Sequence, residues 1–328
     1  MKKLIILLSI IFCTCPLFAL MDFGPEEIVQ ANSSDIDVGS YSVPSFFDWN
    51  NDGRKDLIIG ESSGKVRVFL NNGTTVVPAF NNYFFAQAAG SDLQVAPSGC
   101  LGSFPRVVYW DDDSKKDLLV GSGTGTISIF LGIGEDNNPV FAAGTFVQAN
   151  SSDISVGYRA TSIFEDWNND GKKDLIVGAF DGKIHIFINE GMNSTPDFQT
   201  ESFANLGSSV LTVSSGRSSP IFYDFDRDGK KDLITGNTDG QLLFYKNTNT
   251  VENTVLSNYV ALTSLGIPIH LPGSPRSRPS FCDWNNNVFV DVLIGAADGK
   301  VYLYRGIPEP SMFIIFLLLF AFVQKKIN

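Results

Sequence analysis

Five stretches of this sequence concentrate acids and amides at one spacing. Asp48 to Gly60 reads DWNNDGRKDLIIG, Tyr109 to Gly121 YWDDDSKKDLLVG, Asp166 to Gly178 DWNNDGKKDLIVG, Asp224 to Gly236 DFDRDGKKDLITG, and Asp283 to Gly295 DWNNNVFVDVLIG. Numbering each from its first residue, oxygen-bearing side chains recur at positions 1, 3, 5 and 9, and glycine recurs at position 6. Carboxylates this close repel unless a cation sits among them or they fan out into water. Calcium takes about six to eight hard oxygen ligands, and a short acidic loop with a backbone carbonyl at position 7 can supply them. Glycine at position 6 permits the positive φ of the sharp turn. A solvated Asx-rich turn would account for one copy; near-ideal repetition points to Ca²⁺.

The copies predict unequal sites. The first offers Asp48, Asn50, Asp52 and Asp56 with the carbonyl of Arg54. The third offers Asp166, Asn168, Asp170 and Asp174 with that of Lys172. The fourth offers Asp224, Asp226, Asp228 and Asp232 with that of Lys230. These three are expected to bind calcium. The second keeps Asp111, Asp113 and Asp117 but has Tyr109 at position 1 and Ser114 at position 6, so its site is incomplete. The fifth is charged only at Asp283 and Asp291 and has Val288 in place of glycine, where positive φ is costly for a β-branched residue. It is expected to be largely metal-free.

Something regular must position these loops. Position 9 falls at residues 56, 117, 174, 232 and 291, at spacings of 61, 57, 58 and 59, which indicates a repeat architecture. Each loop leads into a short apolar run such as DLIVG, then a glycine turn, then an alternating run: KVRVFL, TISIFL, KIHIFI, QLLFYK or KVYLYR. Alternation of β-branched and aromatic residues between glycine turns predicts antiparallel hairpins. An outer strand follows around Phe80 to Gln87, Phe141 to Gln148 and Phe198 to Ala204. The expected fold is all-β: a β-propeller of five four-stranded blades. The chain begins with an outer-strand segment, Phe23 to Gln30, and its last repeat has none, so the N-terminal strand is expected to complete the last blade and close the ring.

The loop pattern, the following V/I-G and the G-x-V/I-x-V/I-[FY] strand resemble FG-GAP/VCBS repeats, the blades of integrin α-chain propellers and many bacterial surface proteins. The resemblance runs along residues 20–306, strongest in the first, third and fourth copies. Propellers of that family often have seven blades; this chain has five repeats and no room for two more.

Both ends read as processing signals. Lys2 and Lys3 precede an apolar run from Leu4, and Ala19 offers a small residue for cleavage, so residues 1–19 are expected to be a secretory signal peptide. Residues 307–328 carry Pro308-Glu309-Pro310, an apolar run from Met312 to Val323, and Lys325-Lys326. That order resembles the PEP-CTERM sorting signal, which implies processing by an exosortase-type membrane protease. A plain membrane anchor is the alternative, although a twelve-residue helix reaches only about 18 Å against roughly 30 Å of hydrocarbon. The net charge of -11 argues against nucleic-acid binding. Cys13 and Cys15 lie in the expected signal peptide, which leaves Cys100 and Cys282 and no disulfide framework. Those two fall in non-adjacent repeats and are not expected to pair.

Trp49, Trp110, Trp167 and Trp284 occupy position 2 of their loops, with Phe225 in the remaining copy. They could be sugar platforms, but a residue alternating with outward ligands faces inward, which favours packing between blades. His185 and His270 stand near no nucleophile motif. The expected function is a non-enzymatic, calcium-stabilised binding or adhesion propeller at the cell surface or in the extracellular matrix, with an extracellular protein or glycan as partner. A multivalent lectin is the alternative, and a polysaccharide-degrading enzyme a further one.

Overall fold

The computed structural model describes residues 22–99, 101–250, 254–273 and 275–307. The expected signal peptide, the C-terminal sorting motif and Cys100 lie outside them. The described residues are all-β and form a five-bladed propeller.

Each blade has four antiparallel strands; in the first and fifth a short hairpin, paired in parallel with the outer strand, extends the sheet to six. The inner strands are Val43–Phe47, Ser103–Val108, Thr161–Glu165, Ser219–Tyr223 and Arg278–Cys282. The second strands are Asp56–Gly60, Asp117–Ser122, Asp174–Gly178, Asp232–Gly236 and Asp291–Gly295. The third, alternating strands are Val66–Asn71, Ile127–Phe130, Ile184–Phe187, Leu242–Tyr245 and Val301–Gly306. Outer strands are Phe80–Phe85, Thr145–Phe146, Ser202–Phe203 and Val260–Ala261. The inner strands of successive blades face one another, with the fifth against the first, so the ring is closed.

Closure uses the N-terminal segment as expected. Phe23–Ile28 pairs antiparallel with the last third strand, in the register Glu26↔Tyr304, Glu27↔Leu303 and Ile28↔Tyr302. The Tyr304 hydroxyl donates to Glu26 at 2.7 Å, and Arg305 holds both carboxylate oxygens of Glu27 at 2.7 and 3.0 Å. A closed ring leaves no long unpaired edge to recruit another chain.

Five hydrophobic clusters make the core, each between two neighbouring blades. One joins Leu57 and Ile59 of the first blade to Leu293 and Leu303 of the fifth. The second strands are buried end to end because both faces are covered by adjacent blades. Their terminal glycine has a steric reason. A Cβ on Gly60 would lie 2.2 Å from the Ser103 carbonyl oxygen of the next blade, and one on Gly295 2.1 Å from that of Ser42.

Candidate functional site

The inner strand of each blade ends at its acidic loop, so the five loops crown one pole of the ring. All five share one backbone. Position 4 is in the left-handed region at Asn51, Asp112, Asn169, Arg227 and Asn286 (φ 56–60°). So is position 6, at Gly53, Gly171 and Gly229 (φ 83–87°), and equally at Ser114 (φ 71°) and Val288 (φ 67°). The glycine requirement read from the sequence is therefore real, and the second and fifth loops meet it with strained residues.

Hydrogen bonds explain why the backbone persists where the charge does not. The position 1 carboxylate accepts from the backbone N–H of positions 5 and 6: Asp224 from Asp228 (3.0 Å) and Gly229 (3.0 Å), Asp283 from Asn287 (2.9 Å) and Val288 (3.0 Å). The position 5 side chain accepts from the N–H of position 7, at 2.8–3.0 Å in all five loops.

Position 9 has a role that the sequence reading missed. In every blade one carboxylate oxygen accepts the N–H of position 2, at 2.7–3.1 Å. The other accepts an N–H where the third strand ends: Asn71, Gly132, Asn189, Asn247 or Gly306, at 2.7–2.8 Å. The buried aspartate thus staples the loop to the third strand. Each oxygen keeps a second lone pair for a metal ion. Burial pushes Asp56, Asp174 and Asp232 up to about 6, against the backbone donors that lower them. Asp117 and Asp291 are raised for the same reason.

Two loops bring three carboxylates within 4.8 Å of one another: Asp111, Asp113 and Asp117 in the second, and Asp224, Asp226 and Asp232 in the fourth. In the first and third, Asn50 and Asn168 stand where Asp111 and Asp226 stand, so an amide oxygen replaces the third acid. The second loop, expected to be incomplete, has its acids gathered despite Tyr109 and Ser114. In the fourth, Lys246 at the end of the third strand reaches into the loop. Its ammonium contacts Asp226 and lies 3.0 Å from Asp228, while Lys230 lies 3.2 Å from Asp228. The Asp226 hydrogen bond holds Lys246 firmly protonated.

Position 8 lysines, also missed, bridge blades. Lys116 is buried and donates to the carbonyls of Trp49 (3.1 Å) and Asp136 (3.1 Å) and to Asn51 Oδ1 (3.0 Å). Lys231 pairs with Glu165 of the preceding blade at 2.8 Å. The repeated KDL was the available signal.

The aromatic residues at position 2 pack between blades as expected. Trp284, Trp110 and Trp167 stack on Phe46, Phe164 and Phe222 of the next blade, with centroids 4.6–4.7 Å apart, and Phe225 stacks on Phe281 at 5.6 Å. Trp49 packs edge-on against Phe141. His185 is buried and hydrogen-bonds Glu201 at 2.7 Å. Cys282 is a free, buried thiol.

Inside the crown, beside the third to fifth loops, lies a cavity of about 390 Å³ whose walls include Arg106, Glu165, Tyr223, Phe281, Asp283 and Val288. It is mostly apolar. Glu165 is held by Lys231, and Asp283 by its own loop.

Fold and loops together define the class: a five-bladed β-propeller with one acidic loop per blade, all at one pole. Residues 166–235, spanning the third loop to the end of the fourth second strand, match the FG-GAP-like repeat family. No curated protein sequence is detectably similar to the chain. Among solved structures, the catalytic domain of a Coprinopsis cinerea GH62 α-L-arabinofuranosidase is similar over 87% of this chain and 96% of its own, at 12% identity and a TM-score of 0.51. The Streptococcus pneumoniae NanB sialidase is similar over 74% of this chain and 36% of its own, at 14% identity and a TM-score of 0.41. A Photorhabdus luminescens Tc holotoxin pore structure is similar over 88% of this chain at 14% identity and a TM-score of 0.39; the match spans only 15% of that chain. Identities this low speak to fold alone.

Proposed function

We propose that this chain is an exported, non-enzymatic binding or adhesion propeller, stabilised by calcium at its loop pole and displayed at the cell surface or in the extracellular matrix. Calcium is supported by the gathered carboxylates of the second and fourth loops and by the repeat family matched at residues 166–235. Asp224, Asp226, Asp228 and Asp232 would hold the ion in the fourth loop with the Lys230 carbonyl. Asp48, Asn50, Asp52, Asp56 and the Arg54 carbonyl would do so in the first, and Asp166, Asn168, Asp170, Asp174 and the Lys172 carbonyl in the third. Asp111, Asp113 and Asp117 make the second a weaker fourth candidate. Export and exosortase-type processing rest on residues 1–19 and 307–328.

The observation that carries the non-enzymatic reading is the state of the acids. Glycoside hydrolysis uses a pair of carboxyl groups flanking the bond to be broken. In the cavity beside the third to fifth loops Asp283 accepts two backbone N–H groups of its own loop, and Glu165 pairs with Lys231 at 2.8 Å. A glycan-binding reading is favoured by Tyr223, Phe222 and Phe281 in the same cavity, since aromatic faces suit sugars. It would be one site and not five: the residue ahead of each loop is Phe47, Val108, Glu165, Tyr223 or Cys282, which are not equivalent. A glycan-array screen of residues 20–306, with and without EDTA, tests binding. Hydrolysis of aryl glycosides that is abolished in Glu165→Gln would overturn the non-enzymatic reading.

A further inference from the structure

One junction between blades gathers an amine, a carboxamide and a carboxylate. Lys116, at position 8 of the second loop, is 2% exposed and reaches the first blade. Its Nζ donates to the Trp49 carbonyl at 3.1 Å, to the Asp136 carbonyl at 3.1 Å and to Asn51 Oδ1 at 3.0 Å. The Phe47 ring lies 6.0 Å away. Among the described residues no carboxylate forms an ion pair with this ammonium; its acceptors are two backbone carbonyls and one amide. Asn51 stands exposed at position 4 of the first loop, with φ 56°. Its Nδ2 donates to one oxygen of the Asp136 carboxylate at 3.4 Å, and the other oxygen accepts the Lys116 backbone N–H at 3.1 Å. The three side chains thus meet in one closed set of contacts, although Lys116 and Asn51 are 65 residues apart in sequence.

The repeat supplies its own controls. The residues at the same three repeat positions are Lys55, Asn286 and Thr75 where the fifth blade meets the first, so the acid is missing. They are Lys173, Asp112 and Asn193 between the second and third, so the amide and the acid are exchanged. Between the third and fourth they are Lys231, Asn169 and Val251, and Lys231 pairs with Glu165 instead. Between the fourth and fifth the lysine itself is replaced by Val290. Amine, amide and acid coincide only between the first and second blades, and there alone is the lysine fully buried.

Burying an ammonium with no carboxylate beside it is costly, and converting it to an amide removes the charge. From this geometry we infer that Lys116 and Asn51 join in an isopeptide bond that clips the first blade to the second. The Asp136 carboxylate takes one ammonium proton, and the Nζ lone pair attacks Asn51 Cγ, the carbon that bears Oδ1. The Nζ–Cγ bond forms and the Cγ–Nδ2 bond breaks. Nδ2 leaves as ammonia with the proton that Asp136 returns, and Nζ releases its remaining surplus proton to water. Lysine and asparagine become one amide plus ammonium, with no oxidant or other reactant. The exposed side of Asn51 lets the ammonia depart. The inference stands apart from the calcium and glycan readings.

The test is the intact mass of purified residues 20–306, followed by peptide mapping of a protease digest. The wild-type chain should be lighter than its sequence by one ammonia, with a branched peptide joining the segment that contains Asn51 to the segment that contains Lys116. Lys116→Met and Asn51→Ala should each restore the sequence mass. Asp136→Asn cannot carry the proton and should slow bond formation about a hundredfold or more, followed as the fraction of unlinked chain with time after synthesis. The wild-type mass decides the bond by itself, so the outcome does not depend on whether the Lys116 variant folds. A folded wild-type chain that keeps its full sequence mass on prolonged incubation would overturn the inference. So would an ammonia loss that maps to another asparagine, such as Asn72 before Gly73. Bond formation at the wild-type rate in Asp136→Asn would overturn the role given to Asp136.

Discussion

The fourth and fifth loops make the sharpest comparison in the molecule. Their backbones agree: position 4 has φ 60° and 56°, and the position 9 carboxylate staples the same two N–H groups in both. Their charge does not agree. The fourth presents four aspartates with Lys246 leaning on two of them; the fifth presents two, with amides at positions 3 and 5 and an 80% exposed valine at the turn. The shape of the loop is therefore a property of its hydrogen bonds, and the acids at positions 3 and 5 are not needed to make it. What remains to explain those acids is something they hold.

Removing the staple is the most severe way to probe this. Asp291→Ala in the acid-poor loop should destabilise the protein about as much as Asp232→Ala does without calcium. Each leaves two buried N–H groups unpaired, at about 1–3 kcal/mol apiece. Denaturant unfolding of both variants in EDTA checks it; a near-neutral Asp291→Ala would mean that position 9 matters only as a metal ligand.

Protons and calcium should compete for the same carboxylates. Asp56, Asp174 and Asp232 have folded values raised from 3.8 to about 6 by burial. Their contribution in the calcium-free protein is complete below about pH 4 and fades as pH rises through about 6, because the folded state holds protons that the unfolded state releases. Calcium needs the deprotonated form. The rise in melting temperature on adding millimolar calcium should therefore be larger at neutral pH than at pH about 5, as differential scanning calorimetry would report. Equal gains at both would break the link between loop acids and calcium.

Lys246→Met should sharpen the contrast further. It removes an ammonium that competes with any cation at Asp226 and Asp228, so calcium affinity of the fourth loop should rise several-fold, about 1 kcal/mol, with the other loops unchanged. Calorimetric titration of the variant resolves this. The smallest effect belongs to the fifth loop. Val288→Gly relieves a β-branched residue at φ 67° and should stabilise the protein by up to about 1 kcal/mol in chemical denaturation, without conferring calcium binding.

The repeat made much of this legible in advance. Five copies at near-constant spacing give five blades, and an orphan outer-strand segment at residue 23 paired with a missing one after Arg305 gives the closure. Glycine at position 6 and tryptophan at position 2 could be read because each has one dominant physical reason. Position 9 was harder: an aspartate in a metal-binding pattern looks like a ligand, and its second duty to Trp49 and Asn71 depends on where the third strand ends in space. Lys116 and Lys246 were hidden because a lysine beside acids reads as solvated charge, whereas their partners arrive from a neighbouring blade or strand.

The closing strand also imposes an order of events. Glu27 and Arg305, which clasp the ring, are 278 residues apart in sequence. A chain made from its first residue onward exposes the clasp at the outset and waits for nearly all the rest before the clasp finds its partner. Until then the blades form an open arc with two raw ends, and contacts between such distant residues are slow to form. The interval between emergence of the first strand and arrival of the last is the period in which this protein is most open to mispairing with a second copy of itself.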